Sequence, residues 1–136
     1  MRVLVVASPM VGHVLPLVPL ALAFRDAGHD ARVATGADGL DAARRAGAPV
    51  HDVSPGVNVS SVFLRTLALH PVRLGRMMRG ADEGTDGVGL MFAGIAARMA
   101  ERTLALVDEW RPDLVLHEPL AGAGPLAAAR AGAPAV

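Results

Sequence analysis

The chain has no cysteine, no net formal charge and few aromatics, which make up 3% of its 136 residues. Without thiols it forms no disulfide and has no cysteine-based metal or nucleophile chemistry. With 13 basic residues against 13 acidic ones and so few rings, it shows neither the electrostatic footprint nor the stacking platform of a nucleic-acid binder. All the basic residues are arginine and none is lysine, a codon-usage signature of a GC-rich genome that carries no chemistry. No apolar run reaches the roughly 20 residues of a membrane span. Neither Gly-x-Gly-x-x-Gly nor a Walker pattern occurs, which argues against a dinucleotide-binding domain and a P-loop enzyme. The chain is 52% hydrophobic and of single-domain length, enough to bury a core. These features favour a cytoplasmic globular domain whose partner is a small molecule, with no nucleic acid and no membrane.

An α/β order is legible along the chain. Residues 2–7 form a run of aliphatic residues that reads as a strand buried on both faces, as in a parallel sheet. The run breaks at Ser8-Pro9-Met10-Val11-Gly12, and from Val14 the apolar residues Leu15, Val18 and Leu22 recur at helical spacing up to Gly28, placed as a left-handed cap. An alternative reading of this segment is a secretory signal peptide, because Ala21-Leu22-Ala23 imitates a cleavage site. The interruptions at Pro9, Gly12, His13, Pro16 and Pro19 weigh against it. Residues 30–35 read as a second strand, 38–46 as a helix stopped by Gly47, and 49–53 as a third strand. Residues 54–61 show no period, 62–78 are weakly helical around Pro71, and 79–87 have the composition of a mobile loop that orders over a ligand. A long helix follows over 88–110, with Leu90, Ile95, Met99, Leu104 and Val107 on its apolar face. Residues 113–117 read as a buried strand ending at Glu118-Pro119, 124–132 as a helix, and 133–136 as the start of a further strand. Alternating strands and helices joined by short connections predict a parallel sheet with helices on both faces. Such a sheet brings its strand-to-helix turns, and with them His13, to the carboxyl edge where open α/β folds bind ligands.

Gly12-His13-Val14-Leu15-Pro16-Leu17-Val18-Pro19-Leu20-Ala21, with Ala27-Gly28-His29-Asp30 and Val33-Ala34-Thr35, closely resembles the start of the bacterial nucleotide-sugar-dependent glycosyltransferases that decorate antibiotics and other natural products. Arg111-Pro112-Asp113-Leu114-Val115, His117-Glu118-Pro119 and Ala123-Gly124-Pro125-Leu126-Ala127 match a second block of that family in the same order. The resemblance covers the chain apart from roughly residues 54 to 90, the region such enzymes vary between acceptors. It implies one Rossmann-like half of a two-domain GT-B enzyme. Residues 1–136 would be the acceptor-binding N-terminal domain of a truncated chain, whose nucleotide-sugar-binding C-terminal domain is missing. The nucleoside-diphosphate sugar would be a co-substrate, no cofactor or metal is expected, and an oligomer is compatible with the pattern.

The resemblance also assigns roles. An acceptor hydroxyl is a poor nucleophile until its proton is drawn off, and imidazole titrates near neutral pH, so His13 suits a general base. Glu118 matches the family's acidic position and would orient that base, completing a catalytic pair as in hydrolase triads. The family more often has Asp there, so the contact is expected to be direct, water-bridged or absent. Val11 and Gly12 open the following helix and face the donor diphosphate. Pro9, Met10, Phe63, Leu64, Met77, Met78, Met91 and Phe92 are candidates for an apolar acceptor cleft, methionine being suited to a bulky aglycone. His29, His51, His70 and His117 show no paired metal-ligand spacing and read as surface or packing residues. Asp38 imitates a ribose-binding acid, without the glycine fingerprint that should accompany it. Two other functions are consistent with the fold: a non-catalytic small-molecule-binding domain, and a nucleotide-sugar epimerase of similar two-domain form.

Overall fold

The computed structural model describes residues 1–72 and 85–136. Four strands, β1 (Arg2–Val6), β2 (Asp30–Thr35), β3 (Val50–Asp52) and β4 (Leu114–His117), form one sheet in the order β3-β2-β1-β4. Every pairing is parallel, with Val5 opposite Val33 on one side and Val6 opposite His117 on the other. After β1 come α1 (Val11–Val14), a 3-10 turn (Leu15–Leu17) and α2 (Val18–Asp26). Further helices among the described residues are α3 (Ala37–Arg45), α4 (Val59–Leu69), α5 (Thr85–Trp110) and α6 (Ala123–Ala131).

Strand geometry sends successive side chains to opposite faces, and β1 uses both. Val3 and Val5 pack with Val14, Val18, Ala21 and Ala43 from α1 to α3. Leu4 and Val6 pack with Val62, Ile95, Met99, Leu106 and Trp110 from α4 and α5, and with Ala123 and Ala127 from α6. The near-continuous aliphatic run thus reflects a strand buried on both faces, and the expected Rossmann-like α/β architecture is what forms.

Several local expectations need correction. Helix starts at Val11 rather than at Val14, so His13 lies in a helical turn and not in the loop; Pro16, which lacks an amide hydrogen, sits in the 3-10 turn, and Pro19 in the first turn of α2. The buried stripe is Val14, Val18 and Ala21, again at helical spacing, and Leu15 is exposed. The stretch 54–61 read as aperiodic contains a helix start, because the Asn58 side chain accepts a hydrogen bond from the Ser61 amide at 2.9 Å and caps α4. On α5 the core position is Leu106 rather than Leu104. That helix begins at Thr85, taking in the last three residues of the expected mobile loop; residues 79–84, with Met77 and Met78, lie outside the described residues. Residues 133–136 add one parallel bridge, Val115 to Ala135, beside β4. Gly28 and Gly132 do end their helices at positive φ, 83° and 63°. Among the described residues no helix is long and apolar enough to cross a membrane.

Candidate active site at the switch point of the sheet

β1 connects to β2 on one side, whereas β4 pairs with β1 on the other. The connections leaving β1 and β4 therefore diverge, opening a crevice at the carboxyl ends of these two strands, the topological switch point of such sheets. His13 follows β1 and Glu118 follows β4, and the Val6–His117 register sets their turns side by side.

The two side chains meet directly, with His13 Nδ1 3.2 Å from Glu118 Oε1. Glu118 is held from both sides. The Ser8 amide donates to Oε1 at 3.2 Å and the Leu120 amide donates to Oε2 at 2.7 Å. Burial pushes the Glu118 carboxyl up, but the Ser8 side chain, the Leu120 and Ser8 amides and His13 together outweigh it and hold the group below its ordinary value. The amide bonds carry the geometric part of this, because the buried Ser8 Oγ meets no partner at hydrogen-bond geometry. An ionised carboxylate only accepts, so Nδ1 carries the shared proton, and in a neutral ring Nε2 keeps a free lone pair. The His13 side chain is 27% exposed, so the ring is not sealed in the core.

Beside the pair lies an apolar wall. The His13 ring packs on Phe92 with centroids 5.3 Å apart, and Phe92 meets Phe63 edge-on at 6.0 Å. Phe92 also lines a cavity of about 240 Å³ between the start of α5 and the loop after β4, together with Ala93, Ala96, Pro119, Leu120 and Gly122. Gly122 fits there because a Cβ would stand 3.0 Å from that of Ala96. Of the acceptor candidates, Phe92 packs on His13 and Phe63 on Phe92; Met91 and Met10 are half-buried, Pro9 is buried in the turn, and Leu64 is 71% exposed on α4. Val11 and Gly12 are exposed at the start of α1, and the space in front of Gly12 is open.

Sequence reasoning missed the two amide donors and the Gly89, Ala93, Ala96 side of the cavity. The helical spacing of those small residues was the available signal. His117 packs its ring against Gly124 of α6, where a Cβ would stand 2.4 Å from its own. His29 lies against the Phe24 ring at 5.8 Å. Among the described residues no three His, Asp or Glu side chains gather closely enough to hold a metal ion.

The parallel sheet with helices on both faces is the architecture of one Rossmann-like half of a GT-B glycosyltransferase, the class of the solved structures on which the chain superposes. Residues 22–136 match the model of the Erythromycin biosynthesis protein CIII-like N-terminal domain, and the chain belongs to that family. It is 35% identical over 136 residues to the elloramycin glycosyltransferase ElmGT of Streptomyces olivaceus, covering 100% of this chain and 35% of that protein. The glycosyltransferase SnogD from Streptomyces nogalater superposes with a TM-score of 0.77 at 40% identity, over 99% of this chain and 33% of that one. The Streptomyces sp. SF2575 glycosyltransferase SsfS6, complexed with thymidine diphosphate, gives 0.75 at 30% identity, over 99% and 37%. The chain thus spans about a third of the length of these relatives.

Proposed function

We propose that this chain is the acceptor-side half of an inverting glycosyltransferase that moves a sugar, a deoxysugar in natural-product assembly, from a nucleoside diphosphate to a hydrophobic acceptor. The observation that carries the reading is the 3.2 Å contact between His13 Nδ1 and Glu118 Oε1 at the switch point, beside an apolar cavity. In this mechanism His13 Nε2 takes the acceptor proton while the acceptor atom attacks the anomeric carbon. The bond from that carbon to the diphosphate breaks, and its electron pair leaves on the phosphate oxygen. Attack opposite the leaving group inverts the anomeric centre. Glu118 holds the ring and stabilises the imidazolium that forms. Phe92 and Phe63 give the acceptor an apolar face, and the free amides of Val11 and Gly12 stand toward the diphosphate. In this reading the nucleotide is held by residues outside these 136, which span about a third of the relatives' length, and the 136 residues alone are expected to transfer no sugar.

The test incubates the full-length protein carrying this chain with thymidine-diphosphate deoxysugars and a panel of polycyclic and macrolactone acceptors. Product is detected by mass, and its anomeric configuration is read by NMR. Glycoside of inverted configuration is expected. Retained configuration overturns the mechanism, and acceptor binding without product in any combination favours the non-catalytic binding domain.

A further inference from the structure

We propose that Thr35 and Gly39, on the second strand-helix unit, are positioning residues that fix the turn holding the His13–Glu118 pair. The inference rests on the reading of His13 as the base. Thr35 is the last residue of β2 and is fully buried, yet it is a threonine where an isosteric valine would avoid the cost of a buried hydroxyl. That hydroxyl donates to the Ser8 carbonyl at 3.3 Å. The β1–β2 ladder runs one residue past β1, through the Ala7 amide to the Ala34 carbonyl at 3.0 Å, which sets Ala7 beside Thr35 and brings the Ser8 carbonyl, the next along the chain, within reach of its hydroxyl. The adjoining Ser8 amide is one of the two backbone donors to Glu118. Behind the turn, Gly39 of α3 leaves no room: a Cβ there would stand 3.0 Å from Thr35 Oγ1, 3.1 Å from the Met10 nitrogen and 3.2 Å from the Pro9 carbonyl carbon. Two of these three are backbone atoms, so a side chain at Gly39 displaces the turn. Met10 caps α1, which carries His13. The second strand-helix unit thus presses on the turn from one side while Glu118 takes its amide on the other.

This arrangement places neither residue in contact with a reactant, so its signature lies in the geometry of the pair. In the isotope-labelled chain at about pH 8.5, where an ordinary imidazole is neutral, the ring-nitrogen shifts of His13 report its tautomer. His13→Gln assigns the signal. The wild type and Thr35→Ser are expected to hold the Nδ1-protonated form; Thr35→Val and Gly39→Ala are expected to shift toward the Nε2-protonated form that a free side chain prefers. In the full-length protein, Thr35→Val and Gly39→Ala should lower kcat about tenfold, with donor KM within about twofold, and Thr35→Ser should recover most of the loss. Thr35→Val is isosteric and carries the test even if Gly39→Ala fails to fold. An unchanged tautomer and kcat in Thr35→Val overturns the proposal. If His13→Ala leaves transfer intact, the base assignment fails instead, and the tautomer still shows whether Thr35 fixes the pair.

Discussion

The two edges of the sheet differ in a way that separates a roomy surface from a built site. At the amino edge, where α5 runs into β4, Val107, Asp108, Arg111, Arg130 and Ala131 line a cavity of about 450 Å³. Its one specific feature is a bidentate ion pair, Arg130 to Asp108 at 2.7 and 3.0 Å, which lowers the Asp108 pKa but stands in solvent. At the carboxyl edge the cavity is about half that size, yet there two backbone amides and a histidine converge on one carboxylate. Volume measures how much solvent a groove admits. Function is marked by a charged group whose two oxygens are both held and whose histidine partner is part-exposed. The smaller cavity is therefore the one assigned to chemistry.

That contrast can be broken or sharpened by experiment. The largest effect is expected for His13→Ala in the full-length protein, a loss of turnover of about a hundredfold or more, measured by product formation from pH 6 to 9. Glu118→Gln should cost about tenfold to a hundredfold. An amide side chain offers one acceptor oxygen where the carboxylate offers two, so it cannot satisfy both the Ser8 and Leu120 amides. Its effect on stability carries a defined pH dependence. Folding lowers the Glu118 pKa, so the stabilisation is present above the ordinary value of 4.5 and is lost as pH falls through the lower folded-state value. The gap in denaturation midpoint between wild type and Glu118→Gln should be full at neutral pH and narrow below about 4.5. Phe92→Ala should raise acceptor KM about three- to tenfold, the worth of one aromatic contact, with donor KM unchanged. Smallest of all, Arg130→Ala at the amino edge should leave turnover and both KM values unchanged, since the ion pair it breaks is solvent-exposed and far from the dyad. A hundredfold loss from Arg130→Ala would reverse the assignment of the two edges.

How much of this was legible in sequence follows from how local the cause is. β2 runs over the expected residues 30–35 because its pattern and its flanking glycines fix it locally, and the α6 stop at Gly132 follows from a positive φ that glycine adopts freely. The parallel architecture followed from the strand-helix alternation. The face of the α1–α2 segment did not, because Val14, Val18 and Ala21 share helical spacing as well as Leu15, Val18 and Leu22 do, and only the packing on β1 buries the first set and leaves Leu15 outside. At the site, His13 and Glu118 stood out as residue types in matched motifs. Their direct contact depended on the register of β1 against β4, across a sequence separation near 110 residues. The Ser8 and Leu120 amides left no trace in side-chain identity, because backbone donors are available at almost any residue and only the fold aims them. Glu118 is a methylene longer than the aspartate more usual in the resembling family, and its reach is met by the Leu120 amide on the far oxygen.

The central claim is that Glu118 acts through His13, and a double-mutant cycle on turnover tests it most directly. If the two residues work as one unit, His13→Ala with Glu118→Gln turns over no more slowly than His13→Ala alone, since an orienting group has nothing left to orient. If the two losses multiply instead, Glu118 contributes independently of His13, and the pair described at the carboxyl edge is not the catalytic unit.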